Sequence, residues 1–331
     1  MRLLRRVATG LAALLVLAAA LAFAGWRWLE RWAAAPGPLA LERVVEVPRG
    51  GLAEIARTLE AEGVAAPAWA LVLLARRDGL ERALKAGEYR FPAAASPRAV
   101  LDLLASGRVV LHRITVPEGL TTAEVLELLR DAPMLDGELP PPVPEGTLLP
   151  ETWLVPRGEP RARLVERMRA AMRATLDELW PKRAPGLPYR EPAEAVVLAS
   201  LVERETAKPE ERPLVAAVFV NRLRRGMRLQ SDPTVVYALS GGRGTLDRPL
   251  TRKDLELDHP FNTYRIDGLP PAPIAHPGRA ALEAALAPAA VDYLYFVADG
   301  TGGHAFARTL AEHNRNVARW RRLRDGERPD G

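Results

Sequence analysis

Cysteine is absent from all 331 residues. Disulfides, thiolate metal sites and thiol nucleophiles are thereby excluded, and packing alone must hold the fold in an oxidising compartment. Histidine is scarce, with five residues, and none has metal-ligand spacing. There is no His-Glu-x-x-His run and no close pair, so a zinc hydrolase, and any metal site, is not expected. Ser200 lacks a Gly-x-Ser-x-Gly setting, which argues against a serine nucleophile. No internal repeat is visible. The net charge of +5 is scattered, or gathered at the ends as Arg2, Arg5, Arg6 and the run from Arg315 to Arg324. No recognition motif accompanies it, so nucleic acid is not expected as a partner.

What is present begins with an anchor. Val7 to Trp26 carries no charge. As a helix that stretch measures about 30 Å, the thickness of the hydrocarbon core. Trp26, Trp28 and Trp32 follow at its far end, where indoles favour the interface. The basic start predicts a cytoplasmic N-terminus, a single pass through the inner membrane and an extracytoplasmic remainder. Ala22-Phe23-Ala24 would also satisfy a signal-peptidase pattern. Either reading exports the chain, away from ATP and towards envelope polymers.

The remainder reads as α+β. Residues 1–6 form a cytoplasmic tail, 7–28 the transmembrane anchor, 29–42 a Pro/Ala linker, 43–110 a small α+β module, 111–325 a larger α+β domain and 326–331 a tail. In the module, the predicted order is a strand near Val44, helices over 52–62 and 67–77, a strand after Gly87, and a helix capped by Ser96. The larger domain opens with a strand at Leu111 and a helix capped by Thr121 or Thr122. A long amphipathic helix spans Arg161 to Leu179, followed by apolar helices at 194–206 and 213–225. The aromatic run Asp292 to Ala298 predicts a strand, with 304–307 as its hairpin partner, and a basic helix closes the chain.

Chemistry must come from carboxylates, and spacing selects among many. The helix over 194–206 is nearly uniformly apolar until Glu203-Arg204-Glu205-Thr206. A glutamate held against such a surface has a raised pKa, because desolvation disfavours its charged form, and can then serve as an acid near neutral pH. Glu203 and Glu205 point about 200° apart, so they cannot act as a facing pair. Leu201, Val202 and Leu198 lie beneath Glu205; Ala199, Ser200 and Val196 lie beneath Glu203. The greasier stripe runs beneath Glu205, so spacing selects it over Glu203; the alternative for both is a solvated helix end beside Arg204. Gln230 and Asp232 suit sugar hydroxyls, although Ser231 or Asp232 could simply cap a helix starting at Pro233. Tyr264, in the polar loop with Asn262, could stack on a sugar ring or pack internally.

Several segments together resemble the YceG-like endolytic murein transglycosylase family, of the MltG type. They are LASLVERET (198–206), VFVNRLRRGMRLQSDPT (218–234), FNTY (261–264), GLPP (268–271), YLYFVADGTGG (293–303) and His304-Ala305-Phe306. KAGEYRF (85–91) and the segment from Glu145 to Trp153 are similar to family segments too. Ala307 stands where relatives often place a polar residue. The resemblance implies one transmembrane helix, a LysM-like module at 43–110 and a YceG-like catalytic domain at 111–325. It implies that Glu205, the second glutamate of an E-x-E-T motif, is catalytic, with Gln230, Asp232, Asn262, Tyr264 and His304 as cleft residues. The activity implied is endolytic cleavage of MurNAc-β-1,4-GlcNAc bonds in nascent glycan strands, leaving 1,6-anhydro-MurNAc ends and terminating strand elongation. No cofactor is implied. The partners implied are peptidoglycan strands, the inner membrane and, as candidates, peptidoglycan synthases. The rivals are a lysozyme-type hydrolase using Asp232 as second carboxylate, and a non-catalytic glycan-binding scaffold.

Overall fold

The computed structural model describes residues 2–324 and Gly326. Met1 and the side chains of residues 2–5 and of Val7, and with them the expected basic tail apart from Arg6, lie outside that description. So does the tail expected at 326–331, apart from Gly326. The chain divides into two compact units, Met1–His112 with Pro156–Gly158, and Arg113–Val155 with Glu159–Gly331.

In the first unit, helix α1 (Arg2–Ala34) carries the long apolar stretch, and Ala8–Ala34 is apolar enough to cross a bilayer. The helix runs further than expected. Residues 29–34, expected in a linker, are helical, and Leu29 and Ala33 are buried in the unit's core. The sequence has no breaker there before Pro36, and these two side chains meet a core, so the helix continues. Next come β1 (Arg43–Val47), α2 (Leu52–Ala61), α3 (Ala68–Arg77), β2 (Gly87–Phe91) and α4 (Pro97–Ser106). β1 and β2 pair antiparallel, with Val45 opposite Tyr89. Alternation points Val45, Val47, Tyr89 and Phe91 inward, against Ile55, Leu59, Leu71, Leu74 and Leu101 of the helices. Ser96 caps α4 by accepting a hydrogen bond from the Ala99 N–H, with Pro97 in the first turn.

In the second unit, β3 (Leu111–Thr115) leads into α5 (Thr122–Arg130). Thr121 and Glu124 close a capping box at the start of α5. β4 (Leu135–Asp136), β5 (Thr152–Pro156) and β6 (Glu159–Pro160) follow, with β3 beside β5 and β4 parallel to β6. The long helix α6 (Arg161–Leu179) lies where its periodicity predicts. α7 (Pro192–Glu205), α8 (Arg212–Arg224), α9 (Asp232–Ser240) and α10 (Arg279–Leu286) form the helical centre. β7 (Tyr295–Ala298) pairs antiparallel with β8 (His304–Ala307), and α11 (Leu310–Arg324) ends the described chain. The strand expected from Asp292 starts only at Tyr295. The carbonyls of Val291 and Tyr293 instead accept from the Asn221 amide, which holds that stretch against α8.

α7 is the axis of this unit. Every residue from Ala195 to Val202 is buried, packed against α8 and α10 through Leu198, Leu201, Val215, Phe219 and Leu282. Each such leucine contributes roughly 1.5–3 kcal/mol of burial. A helix apolar all round must be enclosed. Beyond this buried run, the first residues to reach solvent are those of its last turn, Glu203 to Glu205.

Candidate active site

Glu203 and Glu205 end α7 in different surroundings. The Glu203 carboxylate pairs with Arg212 at 3.0 Å and accepts the Gly278 N–H at 2.8 Å. Arg212 also holds Glu118. Glu203 is thus spent on a brace between helices, and burial pushes its pKa up without leaving it free to react. Glu205 accepts one hydrogen bond, from the Ser231 hydroxyl to Oε1 at 2.5 Å. It remains partly exposed.

Burial raises the Glu205 carboxyl to about 7. The Ser231 hydrogen bond opposes this, the charge of Asp232 adds to it, and the fields of His304 and Arg222 oppose it. Glu205 is also the last residue of α7, where the carbonyl end of the helix disfavours an anion. A carboxyl in this state is half protonated at neutral pH and can both give and take a proton.

Ser231 is positioned from behind. It is 1% exposed, its N–H donates to Thr263 Oγ1 at 2.9 Å, and Thr263 Oγ1 lies 2.9 Å from Thr234 Oγ1. It precedes α9 in the N-cap position, but its hydroxyl makes no cap bond. The capping role expected for it is set aside because the hydroxyl turns to Glu205. Gln230, the residue before, has φ +52. A non-glycine in the left-handed region is held there only when its surroundings demand it. Here its N–H is fixed to the Thr263 carbonyl while its side chain is exposed.

Around this pair stand the other expected residues. Asp232 accepts the Tyr264 hydroxyl at 2.5 Å. The Tyr264 phenol is pushed well above its ordinary pKa by burial and by Asp232, so it stays a donor. His304 Nδ1 lies 2.7 Å from Glu211 Oε2, and its backbone N–H donates to Oε1 at 2.8 Å. Thr206 also donates to Glu211, at 2.9 Å. Burial alone would raise Glu211, but these bonds outweigh it and leave its pKa below the ordinary value. A Glu211 carboxylate fixes the Nδ1–H form of His304 and leaves Nε2 facing away from it.

Asn262 is different. It is fully buried, its amide donates to the carbonyls of Leu255 and Leu257, and its Oδ1 accepts the Tyr264 N–H. It shapes the loop that carries Tyr264 and has nothing left for a ligand. The expectation of a cleft-facing Asn262 is corrected on this ground.

Four contributors escaped the sequence reading: Ser231 as a partner of Glu205, Thr263, Arg222 and Glu211. Arg222 is 7% exposed, donating to the carbonyls of Leu294 (2.6 Å) and Leu229 (2.7 Å) beneath the site. Arg222 is the first of three arginines (222, 224 and 225) after the apolar run Val215–Val220, and nothing local marks it as the buried one. Thr263 and Glu211 gave no local signal of these roles, because Ser231 and His304, which they hold, lie 32 and 93 positions away.

A second buried acid sits elsewhere in this unit. Burial raises Glu145 to about 7, although it accepts the Thr122 N–H. His276 is fully buried and driven down to about 3 by desolvation. It accepts the Leu148 N–H at Nδ1 and faces Thr122 Oγ1 through Nε2. It is therefore neutral, and its approach to Glu145 is not an ion pair.

The model of the YceG-like family matches residues 45–319. The chain belongs to the YceG-like family. Among curated proteins, it is 48% identical over 120 residues to an endolytic murein transglycosylase of Bacillus subtilis, covering 36% of this chain and 32% of that protein. It is 36% identical over 181 residues to a protein of the same name from Streptococcus pneumoniae, covering 53% and 32%. The matched stretch thus spans about a third of each curated relative's length. A solved YceG-like protein of Listeria monocytogenes superposes with a TM-score of 0.52 at 29% identity, covering 83% of this chain and 99% of that one. The YceG-like membership covers both units, including the α7 to β8 region that builds the Glu205 cluster.

Replacing Ser231 by alanine should separate its electrostatic role from its packing. The Ser231 hydrogen bond stabilises the Glu205 carboxylate, so its loss raises the Glu205 pKa further. If the protonated form is the working one, the alkaline limb of kcat/KM moves to higher pH while the maximum rate falls. A Ser231→Thr variant should restore both. An unmoved alkaline limb in Ser231→Ala would show that the hydroxyl does not act on Glu205.

Proposed function

We propose that this chain is a membrane-anchored endolytic lytic transglycosylase that cuts the MurNAc-β-1,4-GlcNAc bonds of nascent peptidoglycan strands. One observation carries the reading: Glu205 has a carboxyl raised to about 7, restrained at one oxygen by Ser231 and still partly open to solvent. Its other oxygen is the proton donor. Protonated Glu205 gives its proton to the bridging glycosidic oxygen. The carboxylate left behind takes the proton of the C6 hydroxyl on the same MurNAc ring, and that oxygen closes on C1 to form the 1,6-anhydro sugar. No water is consumed. An internal nucleophile supplies the proximity that an activated water would otherwise need. Exposed Gln230, the Tyr264–Asp232 pair and His304 held by Glu211 line the approach to Glu205 and orient sugar hydroxyls.

α1 is the anchor, with its N-terminus in the cytoplasm, a single pass through the inner membrane and everything after the span outside. The first unit, a β-α-α-β arrangement with its own core, is a LysM-like glycan-binding module. Peptidoglycan synthases, which deliver fresh strands at the membrane, are the candidate protein partners.

A hydrolytic reading draws support from Asp232, a second carboxylate close enough to raise Glu205. Retaining and inverting glycosidases both work with such a pair. Two features favour the transglycosylase: Asp232 is tied to the Tyr264 hydroxyl, and Glu205 has the near-neutral pKa one group needs to act as acid and then base. Digestion of purified peptidoglycan followed by mass spectrometry decides. Fragments ending in anhydro sugars, one water lighter than reducing ends, are expected; reducing ends throughout would assign the activity to hydrolysis. A purified protein that leaves peptidoglycan intact would point to the scaffold.

A further inference from the structure

The end of α1 carries more than an anchor needs. Counting from Ala8, where the apolar span begins, twenty residues at the α-helical rise cover about 30 Å. That places Trp28 at the outer edge of the hydrocarbon core. The Trp28 ring stacks with both Trp32 (6.1 Å, interplanar 11°) and Trp69 of α3 (5.4 Å, interplanar 12°). Trp69 therefore lies at the depth of Trp28. It is 60% exposed. Leu73, one turn along the same face of α3, is 48% exposed. The opposite face of α3 is already used, since Ala70, Leu71, Leu74 and Ala75 are buried in the core.

The joint between α1 and this unit has no slack. Leu29 and Ala33 are core residues. Glu30 accepts from Arg77 at 2.6 Å and from Arg98 at 3.4 Å, and Trp32 Nε1 donates to the Ala66 carbonyl at 3.0 Å. On α1 itself, Arg27 and Arg31 are exposed, at the level where phospholipid headgroups begin.

We propose that the first unit rests on the bilayer, with α3 as a second membrane contact whose Trp69 and Leu73 sit at the headgroup–acyl boundary of a phospholipid membrane. The proposal depends on the reading of α1 as a span and adds a surface to it. The occupant follows from continuity: the exposed face of α3 is stacked on the span at interfacial depth. An indole and an aliphatic side chain flanked by arginines is the composition that such a boundary selects. The unit is then held at a fixed pose on the lipid surface by two contacts on one rigid body.

The absence of cysteine makes the test direct, because each introduced cysteine carries a single nitroxide label. Full-length protein would be reconstituted into phosphatidylglycerol–phosphatidylcholine vesicles with Phe23→Cys, Trp69→Cys or Leu73→Cys. Accessibility to oxygen, which partitions into lipid, and to a water-soluble nickel chelate gives depth once calibrated with lipid-borne labels. Labels at 69 and 73 are expected at the headgroup–acyl boundary, with nickel access several-fold below that of an aqueous label, and the label at 23 deeper. Water-like values at 69 and 73 with a lipidic value at 23 would overturn the docking while leaving the span intact. A water-like value at 23 would overturn the span, and the docking with it. Leu73→Cys keeps the Trp69–Trp28 stack and decides the matter if Trp69→Cys loosens α3.

Discussion

Glu205→Gln is expected to lower the cutting rate by roughly a hundredfold to ten-thousandfold, the range associated with losing a positioned acid or base. The substitution keeps the shape of the side chain, and the Ser231 hydroxyl can still donate to the amide oxygen. What disappears is the proton. Stability should move the other way. A carboxyl whose folded pKa is raised binds protons more tightly when folded than when unfolded, so its contribution weakens stability as pH rises from the unfolded value, about 4.3, to the folded value. Above pH 7 that cost is fully present in the wild type and absent in Glu205→Gln. Thermal unfolding at pH 8 should therefore show a midpoint equal to or above that of wild type. Loss of cutting together with a lowered midpoint would mean the residue was structural, and full activity would remove it from the mechanism.

Arg222→Met should produce the second large effect, on stability first. The guanidinium fills a buried position and donates to the Leu294, Leu229 and Arg228 carbonyls. Methionine matches the stem but not the donors. Leaving buried acceptors unpaired costs about 1–3 kcal/mol each, so a loss of about 3 kcal/mol or more is expected in denaturant unfolding. The same change acts on Glu205. The cation favours the Glu205 carboxylate, so its removal raises that pKa and moves the alkaline limb of activity to higher pH in whatever fraction stays folded. A variant of unchanged stability would show that the three carbonyls find other partners.

Local patterns carried much of this architecture. The α6 range, the Ser96 and Thr121 caps and the unbroken apolar surface of α7 follow from residues within one or two turns of each other. So does the placement of a glutamate where that surface ends. Spacing favours Glu205 through its greasier stripe but does not show what separates the two, because Glu203 also sits over mostly apolar neighbours. The difference is tertiary: Arg212 and the Gly278 N–H occupy Glu203, while Ser231, 26 positions from Glu205 in sequence, meets the other. The same distance along the chain hid Glu211, 93 positions from His304. Asn262 was misread because an asparagine in a polar loop looks alike whether it faces a ligand or closes its own backbone. The expected length of α1 falls short because 29–42 looks like a linker, and nothing local shows that Leu29 and Ala33 have a core to enter.

The proposed mechanism needs a Glu205 carboxyl that is still substantially protonated at neutral pH. Titration of the side-chain carboxyls by carbon-13 NMR measures this directly, with the Glu205 resonance assigned by its disappearance in Glu205→Gln, which also separates it from Glu145. A midpoint near pH 7 is predicted for Glu205; a midpoint in the ordinary glutamate range, about 4.3, would contradict it.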